Sequence, residues 1–235
     1  MKVVDTPLHP KQNPFHLSDQ WRSAPCSSAG GDEIRNSTTK LVAGLALIPA
    51  ALLLALQFIT LPQGVALTSG ARAFNGLKNR TTTPRANDFD GRVTLTEMLR
   101  PGDDRARWSV SSAAAVEGYV IAVWQGGVES TNGFSLFRRD THIEVGLRPD
   151  SPPRERVILE VTPFMRDWAK AQGMDWSHAA LARELTGRRC HLEGWLLFDH
   201  NHADESENTT PGRPANWRAT AWEIHPITLI KALPE

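Results

Sequence analysis

An uncharged stretch of 21 residues constrains this chain more than any other feature of its sequence. Residues 41–61 read LVAGLALIPAALLLALQFITL, and Gln57 and Thr60 are their only polar side chains. At a helical rise of about 1.5 Å per residue, such a run crosses a hydrocarbon core of roughly 30 Å. The sequence therefore predicts a single transmembrane helix over residues 41–61, with Pro49 tolerated inside it.

Two alternatives to a retained membrane anchor stay open. Small residues at Val65-Ala66 and 71–73 would suit a cleavable signal peptide, although 40 residues precede the run and its apolar core exceeds the usual length. A buried soluble helix is the other alternative. Arg35 and Lys40 precede the run and Arg72 alone follows it closely, which favours a cytoplasmic N-terminus. The sequence thus predicts a protein of the inner membrane whose C-terminal domain lies in the periplasm or outside the cell.

Composition divides the rest of the chain into four parts. Residues 1–40 mix Pro, Ser, Asn and charged side chains without periodicity, which predicts a disordered tail. Residues 62–87 are rich in Gly and Thr and are predicted to be a linker. Residues 88–114 are predicted to form a short packed adapter, and residues 115–235 to form the main domain.

The net charge of zero hides an asymmetry along the chain. Residues 1–85 carry a net charge of +5, and residues 86–235 carry −5. A domain that holds nucleic acid through its phosphates needs clustered Lys and Arg side chains. Nucleic acid is therefore an improbable partner of the main domain.

Five runs in the main domain have the composition of β-strands and are separated by turn residues. They are residues 116–124, 141–147, 157–161, 191–198 and 219–232, the last broken at Pro226. One helix is predicted between the third and fourth runs, beginning after Ser177 as N-cap and ending at Gly187. This order predicts a mainly β fold, namely a small OB-like barrel with one helix between strands 3 and 4, preceded by the transmembrane helix.

Four short sequences within residues 115–232 resemble the OB-like domain of uncharacterised bacterial exported or membrane-anchored proteins. They are EGYV at 117–120, DTHI at 140–143, GWLLFD at 194–199 and WEIHP at 222–226. The resemblance covers about half of the chain. It implies a fold and an exported context and brings no activity with it, because OB folds bind oligonucleotides, oligosaccharides and proteins alike.

Two of the predicted strands alternate polar with apolar side chains. Asp140, His142 and Glu144 share one face of the second strand, and Glu223 and His225 share one face of the last. If these faces meet across the barrel, His142 and His225 form a ligand set that suits Zn²⁺ together with Glu223. Glu144 is the alternative to Glu223 as third ligand or general base. The commoner alternative is a hydrogen-bonded structural cluster on a solvated face.

A second candidate site is the long loop before the last strand, residues 199–217. It contains His200, His202 and several carboxylates, and OB folds commonly bind ligands with the loop in this position. Loops of this length are often functional. The loop lacks the glycine of a calcium-binding loop, and a solvated surface loop is the alternative.

The sequence gives less support to a catalytic nucleophile or to tryptophans that stack on a ligand. Cys190 begins an apolar strand, as an inert core thiol would. The sequence contains no nucleophile elbow, phosphate-binding glycine loop or dinucleotide fingerprint. Seven of the eight tryptophans follow the apolar run, and Trp195 and Trp222 are predicted to pack in the core.

The leading interpretation is a membrane-anchored OB-like barrel that acts as a binding or assembly module, with a protein or glycan ligand, rather than as an enzyme. The alternatives are a metal-dependent hydrolase and a nucleic-acid-binding OB domain. The candidate ligand-binding residues are Asp140, His142, Glu144, His200, His202, Glu223 and His225.

Overall fold

The structure, a computed structural model, describes residues 54–55, 57–59 and 61–234. The predicted tail, residues 1–40, and most of the predicted transmembrane run, residues 41–61, lie outside these residues. Among the helices of the described residues, none is long and apolar enough to cross a membrane. Membrane attachment through residues 41–61 therefore stays a prediction.

Five strands close into a barrel in the order β1-β2-β3-β5-β4. They are β1 (Ala113–Gln125), β2 (Thr141–Gly146), β3 (Val157–Val161), β4 (Arg189–Phe198) and β5 (Trp222–Ala232). Neighbouring strands run antiparallel, except that β3 and β5 are parallel. The predicted small β-barrel is confirmed, and each predicted strand run overlaps one of these strands.

Helices lie against the barrel at several places: α1 (Ser69–Lys78), α2 (Leu95–Leu99), α3 (Pro163–Ala171) and α4 (His178–Leu185). The predicted helix is α4, in which the Ser177 side chain accepts a hydrogen bond from the amide of Ala180. The prediction of one helix between strands 3 and 4 was wrong, because α3 also lies there. Thr162 caps α3 and Pro163 occupies its first turn, a typical start signal that the sequence analysis missed.

Alternate residues of the strands point into the barrel and form its core. Val120, Ile143, Leu159, Leu192 and Ile224, one from each strand, are all 0% exposed. Burying a side chain of this size stabilises the fold by about 1.5–3 kcal/mol relative to leaving it in water. The helices add Leu95, Met98, Met165, Leu181 and Leu185 to this cluster. Because two of these side chains belong to α2, the predicted adapter over residues 88–114 is part of the core.

The two tryptophans that were predicted to pack in the core differ. Trp222 is buried there, as predicted. Trp195 is half-buried outside the core cluster, where its indole N–H donates to the carbonyl oxygen of Thr82. The guanidinium of Arg80 lies 4.9 Å from the centre of the Trp195 ring system. The residue therefore holds the chain that precedes the barrel against its surface.

The segment predicted to be a linker, residues 62–87, contains α1 and is packed onto the barrel. The Thr68 side chain caps α1 by accepting a hydrogen bond from the amide of Ala71. Asn75 and Lys78 of α1 are each only 3% exposed. Since a free linker leaves such polar side chains in water, this part of the chain belongs to the folded domain.

The last strand continues through Pro226, where the sequence predicted a break. Leu196 of β4 pairs with Ile224, and Gly194 pairs with Ile227, so three steps along β5 match two along β4. A β-bulge of this kind places the proline outside the regular ladder, where its missing N–H is not needed. Residues 219–221, the start of the predicted run, precede the strand.

Gly194→Ala is expected to destabilise the protein by about 1–3 kcal/mol. A Cβ at this position would lie 2.9 Å from Ile227 Cα, and closer still to the carbonyl oxygen of Pro226. The backbone of β5 cannot move away from this Cβ without breaking hydrogen bonds between β4 and β5. Urea unfolding of the full-length protein measures the effect, and Gly91→Ala is the matched control, because no atom lies within 4 Å of a Cβ there. Equal unfolding midpoints for the two variants would contradict this account of the bulge.

Candidate metal centre and adjoining cleft

The polar faces of β2 and β5 meet around β3, and not across the interior of the barrel. β3 lies between the two strands, and its residue Glu160 pairs in register with His142 of β2. On the other side, Leu159 of β3 pairs with Ile224 of β5. Leu159 and Ile224 point into the core, so Glu160 and its β5 counterpart His225 point away from it.

This outer face is buried, although the alternation of the sequence is typical of a solvated one. His142 is 5% exposed, and Glu160, Glu223 and His225 are at most 2% exposed. Lys78 of α1 and the fully buried Arg218, which precedes β5, contribute the charges that lie against this face. The polar strands thus enclose a buried site.

Asp140, Glu160 and His225 form the centre of this site. One ligand atom from each residue lies within 4.8 Å of the corresponding atoms of the other two. His225 Nδ1 lies 3.2 Å from Glu223 Oε2 and 3.3 Å from Glu160 Oε2. His142 Nε2 lies 3.3 Å from Glu160 Oε1, so His142 borders the group. A single cation between the three residues would contact all of them.

Several buried atoms of this site have no hydrogen-bond partner among the described residues. They are Asp140 Oδ1, Glu160 Oε2, His225 Nε2 and both ring nitrogens of His142. The 3.3 Å contacts of Glu160 Oε2 and His142 Nε2 lack hydrogen-bond geometry. A buried polar group left unpaired costs about 1–3 kcal/mol, and more when it is charged. Such a concentration of unpaired atoms in one place therefore points to a ligand that satisfies them.

Acidic groups outnumber permanent cations around the site. Burial, and then the neighbouring Glu223, raises the pKa of Glu160 well above its usual range. Burial likewise raises the pKa of Asp140. Four buried acids, Asp140, Glu160, Asp199 and Glu223, and two buried cations, Lys78 and Arg218, lie in or beside the site. The site therefore either takes up protons or binds a cation.

Lys78 carries one of the two permanent positive charges. Its Nζ donates a hydrogen bond of 2.8 Å to Glu129 Oε2. Burial alone would lower the pKa of Lys78, but Glu160 and Glu129 more than offset it, and the pKa lies above its ordinary value. The ammonium group thus offsets the charge of one acid, and the remaining acids still outnumber the remaining cation.

Two carboxylates and an imidazole are a donor set that binds Zn²⁺ or a similar divalent ion. Burial, followed by the charge of Lys78, holds the pKa of His142 well below its usual value, so its imidazole is neutral and also able to bind a metal. Glu223 accepts a hydrogen bond from Nδ1 of His225 at 3.2 Å and so orients this ring. Carboxylates commonly hold a metal-binding histidine in this way.

The other predicted site residues have separate roles. Glu144 does not join the cluster, because it accepts hydrogen bonds from Trp124 Nε1 and from Arg156. Glu223, predicted as a ligand, is bound to Arg218 Nη2 at 2.6 Å and lies behind His225. Cys190 is buried, and burial raises the pKa of its thiol, so it is a core side chain and not a nucleophile.

A cleft of about 530 Å³ adjoins the metal-ligand cluster. His142 and Lys78 line it, and both also lie against the buried acids. His200 and His202 of the predicted binding loop line the cleft as well, and the His200 ring packs 4.2 Å from that of Phe74 on α1. The structure thus brings together two candidate sites that were separate in the sequence.

His202 forms a dyad with a buried acid beside the cleft. Its Nδ1 lies 2.6 Å from Asp199 Oδ2, and Asp199 is 1% exposed. The hydrogen bond to Asp199 raises the pKa of His202. For Asp199, burial acts to raise the pKa, but His202, Lys78 and Arg218 outweigh it and hold the pKa below its usual range. His202 Nε2 remains available to a ligand in the cleft.

Asp199→Asn is expected to lower the pKa of His202 toward the ordinary value of about 6.5. A histidine whose pKa is raised on folding stabilises the fold below its unfolded pKa, and this contribution disappears as pH rises through the folded pKa. Asp199, whose pKa is lowered on folding, contributes to the stability of the fold above about pH 4. The stability difference between the variant and the native protein should be largest between about pH 4 and 6.5. NMR titration of the histidine ring protons measures the shift, and an unchanged pKa of His202 would contradict the dyad.

Comparison of the chain with known proteins gives no matching family, no matching curated protein and no matching solved structure. Chemistry at this site is therefore inferred from its geometry.

Sequence reasoning missed three important residues of the site. Glu160 had a usable signal, since it is the one charged residue within the otherwise apolar strand Val157–Val161. A charge in a buried strand usually has a partner or a function. Lys78 and Arg218 lie in polar segments and carried no comparable signal.

Proposed function

We propose that this protein is a divalent-metal-dependent hydrolase built on an OB-type barrel. The observation that carries the proposal is the convergence of Asp140, Glu160 and His225, with unpartnered buried atoms on all three. A purely structural cluster would pair those atoms with one another or with the backbone. The adjoining cleft supplies room for a substrate, and it shares His142 with the site.

The OB-type classification is supported by the connections between strands. The closed order β1-β2-β3-β5-β4, with β3 and β5 parallel, suits a five-stranded Greek-key barrel of this type. The helices α3 and α4 lie between β3 and β4, where the sequence analysis expected the OB helix. These connections support the OB-type classification alone, and the function has to be argued from the site.

Each residue of the proposed centre has a distinct task. Asp140, Glu160 and His225 hold the ion, and Glu223 fixes the orientation of the His225 ring. A divalent ion held there would supply Lewis-acid chemistry, polarising an ester oxygen and lowering the pKa of a bound water. His142, 5% exposed, contacts Glu160 and also lines the cleft, so this ring is the link between the proposed ion and a substrate in the cleft.

Membrane attachment through residues 41–61 is part of the proposal. It is supported by the uncharged run itself and by an exposed apolar surface beside its C-terminal end. Phe58 stacks on Phe137 at 5.1 Å, and Phe134, Leu136 and Phe137 are each more than half exposed. A periplasmic location would follow from the orientation that the basic residues favour. The binding or assembly module with a protein or glycan ligand stays a prediction from the sequence.

The test of the hydrolase is a metal-dependent activity. Full-length protein in detergent is stripped with EDTA and assayed with bis(p-nitrophenyl) phosphate, p-nitrophenyl phosphate and p-nitrophenyl acetate. We expect hydrolysis of at least one ester to fall to the uncatalysed rate on stripping and to return with Zn²⁺ or Mn²⁺. Metal-loaded protein that hydrolyses none of them, or stripped protein that hydrolyses them as fast, would contradict the proposal.

A further inference from the structure

Aromatic side chains from three parts of the chain line the cleft. Phe74 comes from α1, Trp124 from the end of β1 and Trp217 from the segment before β5. The two indole rings have their centres 6.3 Å apart and are steeply inclined to each other, at 64°. All three side chains are only half-buried, so they offer ring surface to a ligand. Aromatic surfaces of this kind bind planar rings, such as nucleic-acid bases, by stacking.

Trp217 is held in place before any ligand arrives. Its indole N–H donates a hydrogen bond of 2.5 Å to Glu205 Oε2. The buried guanidinium of Arg218 lies 4.5 Å from the centre of the Trp217 ring system. A ring fixed from two sides loses little conformational entropy when it binds a ligand. The ring therefore stands ready to bind a ligand in the cleft.

The polar lining of the cleft favours an anion. His202 lines the cleft, and its hydrogen bond to Asp199 raises the pKa of its ring and so favours the protonated form. The acids behind His142 oppose this effect, and a divalent ion bound between Asp140 and Glu160 would offset them. Lys78 and Glu129 both line the cleft and pair with each other, so the positive charge offered to an anion is that of His202. A phosphate group is the anion that both a divalent metal and a histidine bind well.

We infer that the cleft binds a phosphate monoester of a planar ring system, a ligand of mononucleotide size, with the ring against Trp217 and Phe74 and the phosphate at His202. The inference rests on the proposed function, whose metal ion neutralises the acids behind the cleft, and names its substrate class. A volume of about 530 Å³ suits one such molecule. The net charge of −5 on residues 86–235 disfavours a long polyanion instead.

Isothermal titration calorimetry on metal-loaded full-length protein tests the inference. The probe is the methylenephosphonate analogue of adenosine 5′-monophosphate, whose P–C bond resists hydrolysis. Adenosine serves as the ring alone, and methylphosphonate as the anion alone. We expect the analogue to bind at least tenfold more tightly than either fragment. Equal affinity of the analogue and one fragment would overturn the inference.

Variants separate the two halves of the ligand. Trp217→Leu is expected to weaken the analogue at least tenfold and to leave methylphosphonate unchanged, whereas His202→Gln is expected to weaken the analogue and leave adenosine unchanged. Trp195→Leu is the matched control, because this half-buried tryptophan lies outside the cleft. Full affinity for the analogue in both cleft variants would overturn the inference, and His202→Gln decides alone if Trp217→Leu does not fold.

Metal content, measured on the same samples, distinguishes this inference from the proposed function. Metal-loaded protein that hydrolyses a test ester but prefers neither ring nor phosphate refutes the inference and leaves the hydrolase standing. Absence of metal and of hydrolysis refutes the hydrolase. In that case the analogue is titrated into the metal-free protein. Binding at least tenfold tighter than that of either fragment supports recognition of ring and phosphate without metal, and equal affinity refutes it.

Discussion

Glu160→Gln is expected to lower the affinity of the full-length protein for Zn²⁺ or Mn²⁺ by at least about 100-fold and to abolish metal-dependent hydrolysis. Glu160 is central because it lies between His142 and His225, within 3.3 Å of a ring nitrogen of each. The amide of Gln keeps the shape of the side chain but removes the negative charge that a divalent ion requires. Competition with a fluorescent chelator measures the affinity, and the ester assay measures the activity.

The same substitution should stabilise the metal-free protein. Burial raises the pKa of Glu160, so the folded chain keeps this proton to higher pH than the unfolded chain does. Stability from that proton is present below the unfolded pKa of about 4.3 and is lost as pH rises above it. The neutral variant avoids this loss. At pH 8 its free energy of unfolding, measured with urea, should exceed that of the native protein by about 1–3 kcal/mol, and the difference should vanish near pH 4.

Glu155→Gln is the matched control for Glu160→Gln. Glu155 is half exposed and pairs with Arg148 at the surface, at 3.2 Å, so its loss should change stability by less than about 0.5 kcal/mol. Metal affinity should not change in this variant. Unaltered metal affinity in Glu160→Gln itself would contradict the proposed centre.

Arg218→Met is expected to destabilise the protein by about 3–5 kcal/mol, the largest effect on folding that we predict. The Arg218 side chain is 0% exposed, donates to Glu223 Oε1 at 2.6 Å and lies 3.8 Å from Asp199 Oδ2. Its loss leaves both acids buried with one cation fewer. Because Glu223 also orients His225, the variant should bind metal more weakly as well. Urea unfolding gives the loss of stability.

A second substitution tests the cause of this effect. If the cost comes from unpaired charge, Arg218→Met combined with Glu223→Gln should recover part of the stability that the single variant loses. Arg183→Met, on the exposed surface of α4, is the control and should change stability by less than about 0.5 kcal/mol. A loss below 1 kcal/mol for Arg218→Met would show that solvent reaches the ion pair.

The strands of the fold were predictable because their signals are local. β-Strand composition and turn residues placed all five strands, and Ser177 and Gly187 bounded α4. Pro226 misled the analysis, because the bulge that accommodates it depends on pairing with Gly194 more than thirty residues earlier. The segment that contains α1 misled it too, since its buried Lys78 has its partner Glu129 in a distant loop.

Part of the site was predictable for the same reason. Asp140, His142 and His225 stood out because they alternate with apolar residues. Their meeting around Glu160 depends on β3 lying between β2 and β5, which is a long-range property of the barrel. Alternation alone also predicts a solvated outer face, and it could not reveal that α1 and the buried Arg218 pack against it.

The most direct test of the metal centre is anomalous X-ray diffraction from crystals of the full-length protein equilibrated with Zn²⁺. The account predicts one anomalous peak at about 2.0–2.2 Å from a carboxylate oxygen of Asp140, a carboxylate oxygen of Glu160 and a ring nitrogen of His225. Elemental analysis of the same protein should give about one ion per chain. Absence of a peak at these three residues, with Glu160 hydrogen-bonded directly to His225, would contradict it.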